Sequence, residues 1–235
     1  MARRNESPEG KSALTLILAL FLVAGPGGAE ARRSAGYAGS TPAGLDGSAA
    51  FASLDCAKIN RHPRLGRFRV PLSSDCALAI PAPRGRLVAR SRPLGDGGDH
   101  IVLGVTGGLT VKDLEQPVTF LWNPDGSGFV LNDGEGSGQT AQLRYFAYRR
   151  GGWRESRRMR SSAARLFLRR QHCRPGAYVN VSGMTWTVAG ELRAIVQEGV
   201  HSQGCRQPES GNLALEVVGD PWSGRVRLER AIVSR

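Results

Sequence analysis

The chain has 235 residues, 40% of them hydrophobic and 6% aromatic, with 31 glycines, 4 cysteines and a formal charge of +12. That length supports one hydrophobic core, which excludes a miniprotein held by disulfides alone and a wholly disordered tail. Arginine outnumbers lysine 29 to 3, a compositional bias that weakens arguments from the choice of arginine but leaves its position informative.

In chain order, residues 1–31 read as a secretory signal peptide. Arg3, Arg4 and Lys11 precede an apolar run from Ala13 to Ala24, and Gly25, Pro26 and small residues follow, with cleavage expected after Ala29 or Ala31. The run is about half of the roughly 20 residues a spanning helix requires, so no transmembrane segment is expected after processing. Residues 32–53 are mostly alanine, glycine, serine and threonine and predict a flexible leader. A single mainly β domain is expected over 54–235. Export makes an even cysteine count read as disulfides, with three pairings open. Cys56 with Cys76 and Cys173 with Cys205 is preferred, because each bridge then staples a neighbouring piece of chain. Zinc held by His172, Cys173, His201 and Cys205 is the weaker alternative, since no Cys-x2-Cys pair is present. No metal or cofactor is assigned.

Short alternating runs punctuated by glycine predict antiparallel hairpins. Leu87 and Ala89 alternate with arginines, then Ile101, Leu103 and Val105 alternate, and a strand follows over 109–114. Val118, Phe120 and Trp122 share a face, and 129–131 returns across a Pro-Asp-Gly turn. Ala141, Leu143, Tyr145 and Ala147 form a further strand. Met184, Trp186 and Val188 are answered by Leu192, Ala194 and Val196, and Leu213, Leu215 and Val217 pair with a last strand over 225–233. The architecture expected is a set of blade-like hairpins, partly propeller-like or a sandwich.

Between residues 155 and 171 the period changes. No glycine or proline occurs, Met159, Ala163, Leu166, Phe167 and Arg170 fall at near-helical spacing, and Pro175 and Gly176 supply stop signals. The spacing predicts one amphipathic helix with Arg154, Arg157, Arg158, Arg165 and Arg169 on its polar face. Residues 142–175 hold eleven arginines against one acid, Glu155, so this segment carries most of the chain's excess charge.

A shift of 64 residues superposes Trp122-Asn123-Pro124-Asp125-Gly126 on Trp186-Thr187-Val188-Ala189-Gly190, each between two β runs. The first copy resembles the Trp-Ser-Pro-Asp-Gly hairpin of TolB-type β-propeller repeats, with Asn123 where serine is usual. The second copy lacks the proline and aspartate. The resemblance implies a buried tryptophan ending one strand and a tight turn to the next. Its residues are structural, so it brings no catalytic position and implies a binding or scaffold role.

Asp133, Glu135 and Ser137 alternate as in the first half of a calcium loop, but Arg144 stands where the bidentate glutamate belongs. An exposed hairpin loop available for contact is the preferred reading of these three. His100 beside Asp99 and Asp96 is the one place where imidazole and carboxylates are close in sequence. No Gly-x-Ser-x-Gly elbow exists. The expectation is therefore an exported, non-catalytic interaction module binding an anionic lipid, glycan or acidic protein. Nucleic acid is disfavoured by the compartment. The alternative is an exported hydrolase with an unrecognised site drawn from Asp99, His100, Asp133 and Glu135.

Overall fold

The computed structural model describes residues 55–94, 100–134, 142–199, 204–205 and 212–234. The expected signal peptide and leader, together with Asp96, Asp99, Glu135, Ser137 and His201, lie outside the described residues. The described elements are α1 (Cys56–Asn60), a 3-10 turn (Leu65–Arg67), β1 (Val70–Leu72), β2 (Leu78–Pro81), β3 (Val88–Pro93), β4 (His100–Val105), β5 (Leu109–Glu115), β6 (Val118–Trp122), β7 (Gly128–Asp133) and β8 (Gln142–Arg149). They continue with β9 (Gly152–Ser156), α2 (Arg158–Arg170), β10 (Val179–Trp186), β11 (Leu192–Glu198), β12 (Asn212–Gly219) and β13 (Val226–Ser234). The protein is mainly β, as the alternation predicts.

Two sheets form. Strands β2, β3, β4 and β5 make a four-stranded antiparallel meander, and a curled nine-stranded sheet runs in the order β1-β6-β7-β8-β10-β11-β12-β13, with β9 paired to β8. The middle of the large sheet is buried on both faces. Phe120, Trp122, Phe129, Leu131 and Phe146 pack against the meander residues Ile80, Ala89, Ile101, Leu103 and Leu114. From the opposite face, Leu121, Val130, Leu143, Tyr145 and Ala147 pack against α2 and β10–β12. A strand covered on both sides reads as a continuous apolar run rather than an alternation, which is why Phe120-Leu121-Trp122 and Phe129-Val130-Leu131 are uninterrupted.

The first tryptophan hairpin is where the sequence places it. Trp122 is 1% exposed and its indole N–H donates to the Ile80 carbonyl at 3.1 Å, tying the two sheets together. Asn123 accepts the Gly128 N–H at 3.0 Å, and Asp125 accepts the Ser127 N–H at 2.8 Å, so both polar turn residues satisfy backbone donors. At the second hairpin Thr187 plays the corresponding part, accepting the Glu191 N–H at 3.1 Å through its hydroxyl. Gly126 and Gly190 hold matching positive φ values of 77° and 79°. Trp186 is half-buried rather than core, and Val188 sits fully exposed at the turn instead of continuing the strand.

β8 is a branch point. Its second half pairs antiparallel with β9 from Tyr145↔Ser156 to Arg149↔Gly152, while β10 meets it in parallel only at Val181↔Gln142. Where β10 departs, the side chain of Asn132 substitutes for a strand, donating to the Gly183 carbonyl and accepting the Gly183 N–H, each at 2.7 Å. The same amide donates to Thr119 Oγ1 at 2.8 Å. Glycine is required at 183 because a Cβ there would lie 2.9 Å from Val130 Cγ1 and 3.0 Å from Leu143 Cδ1.

All four cysteines are paired, Cys56 with Cys76 and Cys173 with Cys205, which leaves no thiolate for the zinc alternative. No described helix is long and apolar enough to cross a membrane.

Candidate anion-binding face

The arginine segment splits between two elements. Residues 152–156 form β9, so the helix begins at Arg158 rather than at Glu155 and ends at Arg170. β8 and β9 join through a two-residue turn in which Arg150 and Gly151 both have positive φ, 52° and 78°. That conformation suits a tight hairpin, and an arginine in its first position disguises the turn in the sequence. Arg154 therefore lies on a strand, opposite Ala147, and not on the helical face assigned to it. Arg157 caps the helix, with no side-chain hydrogen bond to the first turn.

Within α2 the three-and-four spacing sorts the faces. Met159, Ala163 and Phe167 are buried against the β10–β12 core. On the opposite side Arg158, Ser161, Arg165 and Arg169 are exposed and form one stripe. No ion pair joins Arg158, Arg165 or Arg169 to an acid among the described residues, whereas other arginines are engaged. A chain of alternating charges runs beside the stripe. Asp133 meets Arg144 at 3.3 Å, Arg144 meets Glu155 at 3.2 Å, and Glu155 meets Arg157 at 3.0 Å. Burial pushes the Glu155 carboxyl up, but hydrogen bonds and charge from Arg144 and Arg157 outweigh it and hold the group below its ordinary range.

Two adjoining depressions open where the turn between β12 and β13 approaches the start of α2. One, of about 420 Å³, is lined by Arg157, Arg158, Ser161, Ser162, Arg165 and Ser223. The smaller, of about 170 Å³, is lined by Glu155, Ser156, Arg157, Arg158 and Trp222. The turn is braced against the helix. Ser156 donates to the Pro221 carbonyl at 3.0 Å, the Arg149 guanidinium stacks on Trp222 at 4.2 Å, and a Cβ on Gly224 would lie 2.7 Å from Arg158 Cβ. Trp222 and Ser223 were not among the residues the sequence singles out. Their signal is only the turn-forming Asp220-Pro221-Trp222-Ser223-Gly224, which says nothing of the helix 60 residues earlier.

The other sequence candidates do not converge. Asp133 ends β7 nearly buried, with its carboxylate on Arg144, so the described residue of the proposed contact loop is already engaged by the fold. His100 begins β4 and its Nδ1 lies 4.0 Å from Glu115 on β5, a pairing the sequence does not suggest. These two candidate residues belong to different sheets. Among the described residues no three His, Cys, Asp or Glu side chains form a group able to hold a metal ion. No family model matches the chain, and neither a curated protein nor a solved structure matches it.

Proposed function

We propose that this protein is an exported, non-catalytic interaction module whose α2 arginine face binds an anionic envelope component or an acidic protein partner. The observation that carries the reading is the exposed Arg158, Arg165 and Arg169 stripe without acidic partners among the described residues. Uncompensated cations on one face repel each other, a cost that an anionic partner removes. Two disulfides are compatible with an oxidising compartment, and the N-terminal 31 residues supply the export signal in this reading. The two tryptophan hairpins, with their shared turn geometry, are proposed as internal copies of the TolB-type design serving as scaffold.

The test is binding to a polyanionic glycan and to anionic vesicles over a salt series. Binding should weaken as the Debye length falls below about 8 to 10 Å. Reversing Arg158, Arg165 and Arg169 to glutamate should abolish it, with the fold kept, because exposed substitutions shift stability by less than about 0.5 kcal/mol each. Unchanged polyanion binding by the folded triple variant refutes the proposal.

A further inference from the structure

Resting on that reading, we propose that the larger depression is a site for a phosphomonoester group. Its charge is set by which arginines are already neutralised. Arg157 belongs to the Asp133–Arg144–Glu155–Arg157 chain, two acids and two arginines that sum to zero. Arg158 and Arg165 therefore remain as two uncompensated guanidiniums on adjoining turns of α2, facing the same depression. A phosphomonoester carries about −1.5 to −2 at neutral pH and matches that pair, whereas a phosphodiester or carboxylate, at about −1, leaves one cation unanswered. Guanidinium forks fit phosphate oxygens two at a time, which a single point charge does not achieve.

The hydroxyl lining agrees. Ser162 Oγ accepts from Arg165 at 3.3 Å and Ser223 Oγ accepts the Arg225 N–H at 3.3 Å. Ser162 thus keeps its proton to donate outwards and Ser161 adds a second such hydroxyl on the exposed stripe, while the Ser223 hydroxyl is engaged by the Asp220 carboxylate. A phosphate group has three acceptor oxygens and no obligatory donor, so guanidiniums flanked by the Ser161 and Ser162 hydroxyls suit it. Ser223 reaches the depression from the turn between β12 and β13, which the close approach of Gly224 to Arg158 holds against the helix. The lining thus comes from two separate parts of the chain, and the depression exists only once these have packed.

Isothermal titration of the full chain with glycerol phosphate, at constant ionic strength, should saturate at one equivalent. Dimethyl phosphate should bind at least tenfold more weakly, and glycerol phosphate affinity should fall about tenfold between pH 7.5 and 5 as the ester dianion takes up a proton and becomes a monoanion. Arg165→Lys keeps the charge but removes the fork and should weaken the monoester at least tenfold, as should the paired Ser161→Ala and Ser162→Ala change. Arg90→Glu, exposed on β3 and outside both the arginine face and the depression, should change monoester binding less than threefold. Separate titrations with a soluble sugar phosphate and with phosphatidic acid vesicles tell whether a glycan or a lipid carries the group. If polyanions bind but glycerol phosphate does not saturate, or if Arg165→Lys and Arg90→Glu weaken it equally, the site is overturned while the arginine face stands. Equal affinity for the diester also overturns it, and loss of polyanion binding in addition removes the broader reading.

Discussion

The Asn132 clamp on Gly183 offers the sharpest test of how the large sheet is held. Asn132→Ala deletes both hydrogen bonds to Gly183 and the one to Thr119. Residue 132 is only 5% exposed and Gly183 is buried, so water does not readily replace the amide. Two buried backbone groups left unsatisfied cost about 1 to 3 kcal/mol each, which puts the loss at about 2 to 6 kcal/mol. With a urea slope of about 2 kcal/mol per molar, the unfolding midpoint should fall by about 1 to 3 M, read by far-UV circular dichroism with the disulfides intact. Gly183→Ala should cost about 1 to 3 kcal/mol by overpacking against Val130 and Leu143. The double variant should cost less than the sum, because β10 without its clamp can retreat from the added methyl. A midpoint shift under about 0.5 M for Asn132→Ala, or strict additivity in the double variant, would show that β10 is held by something else.

Three further outcomes are expected. Trp122→Ala should lose about 3 to 5 kcal/mol, and Trp186→Ala, half-buried, only about 1 to 3; equal losses would contradict the unequal burial. Peptide mapping without reductant should link Cys173 to Cys205, and replacing both by alanine should cost about 3 to 4 kcal/mol from a loop of 32 residues; a peptide joining Cys56 to Cys173 would be the contrary result. Burial, with the charges of Asp125 and Asp220, pushes the Tyr145 phenol up to about 12. A raised phenol contributes stability below about pH 10 that is lost as pH climbs towards 12, two units at about 1.4 kcal/mol each, or about 3 kcal/mol. Phenolate absorbance should show a late titrating group that Tyr145→Phe removes, and coincident titration of every tyrosine before unfolding would refute that burial.

Much of the local structure was legible in the residue order because it depends on neighbours in sequence. Alternation of period two marked β3 to β5, β8, β11 and β12, since side chains on a strand alternate between faces whatever packs on them, whereas in β10 the alternating Met184 and Trp186 are not on the buried face. The Pro-Asp-Gly turn carries its own backbone preferences, and the absence of glycine and proline over 155–171 allowed a helix. Proximity in sequence also favoured the disulfide pairing that the structure holds. The helix start was misjudged because Glu155 suits a helical first turn, yet its backbone is held by the ladder to Phe146 and its carboxylate by Arg144.

Tertiary packing alone decided the rest. Which of the arginines are neutralised depends on Asp133, Arg144 and Glu155 meeting across three strands. Ser223 reaches Arg158 only because the last β turn folds onto a helix that precedes it by some 60 residues. Nor does Asn132 announce that it will stand in for a strand, because its partner is 51 residues away and backbone groups are the same at every position. Hydrogen bonds and charges of this range are set by where the sheet curls, and that curl is a property of the packed core, not of any local pattern in the chain.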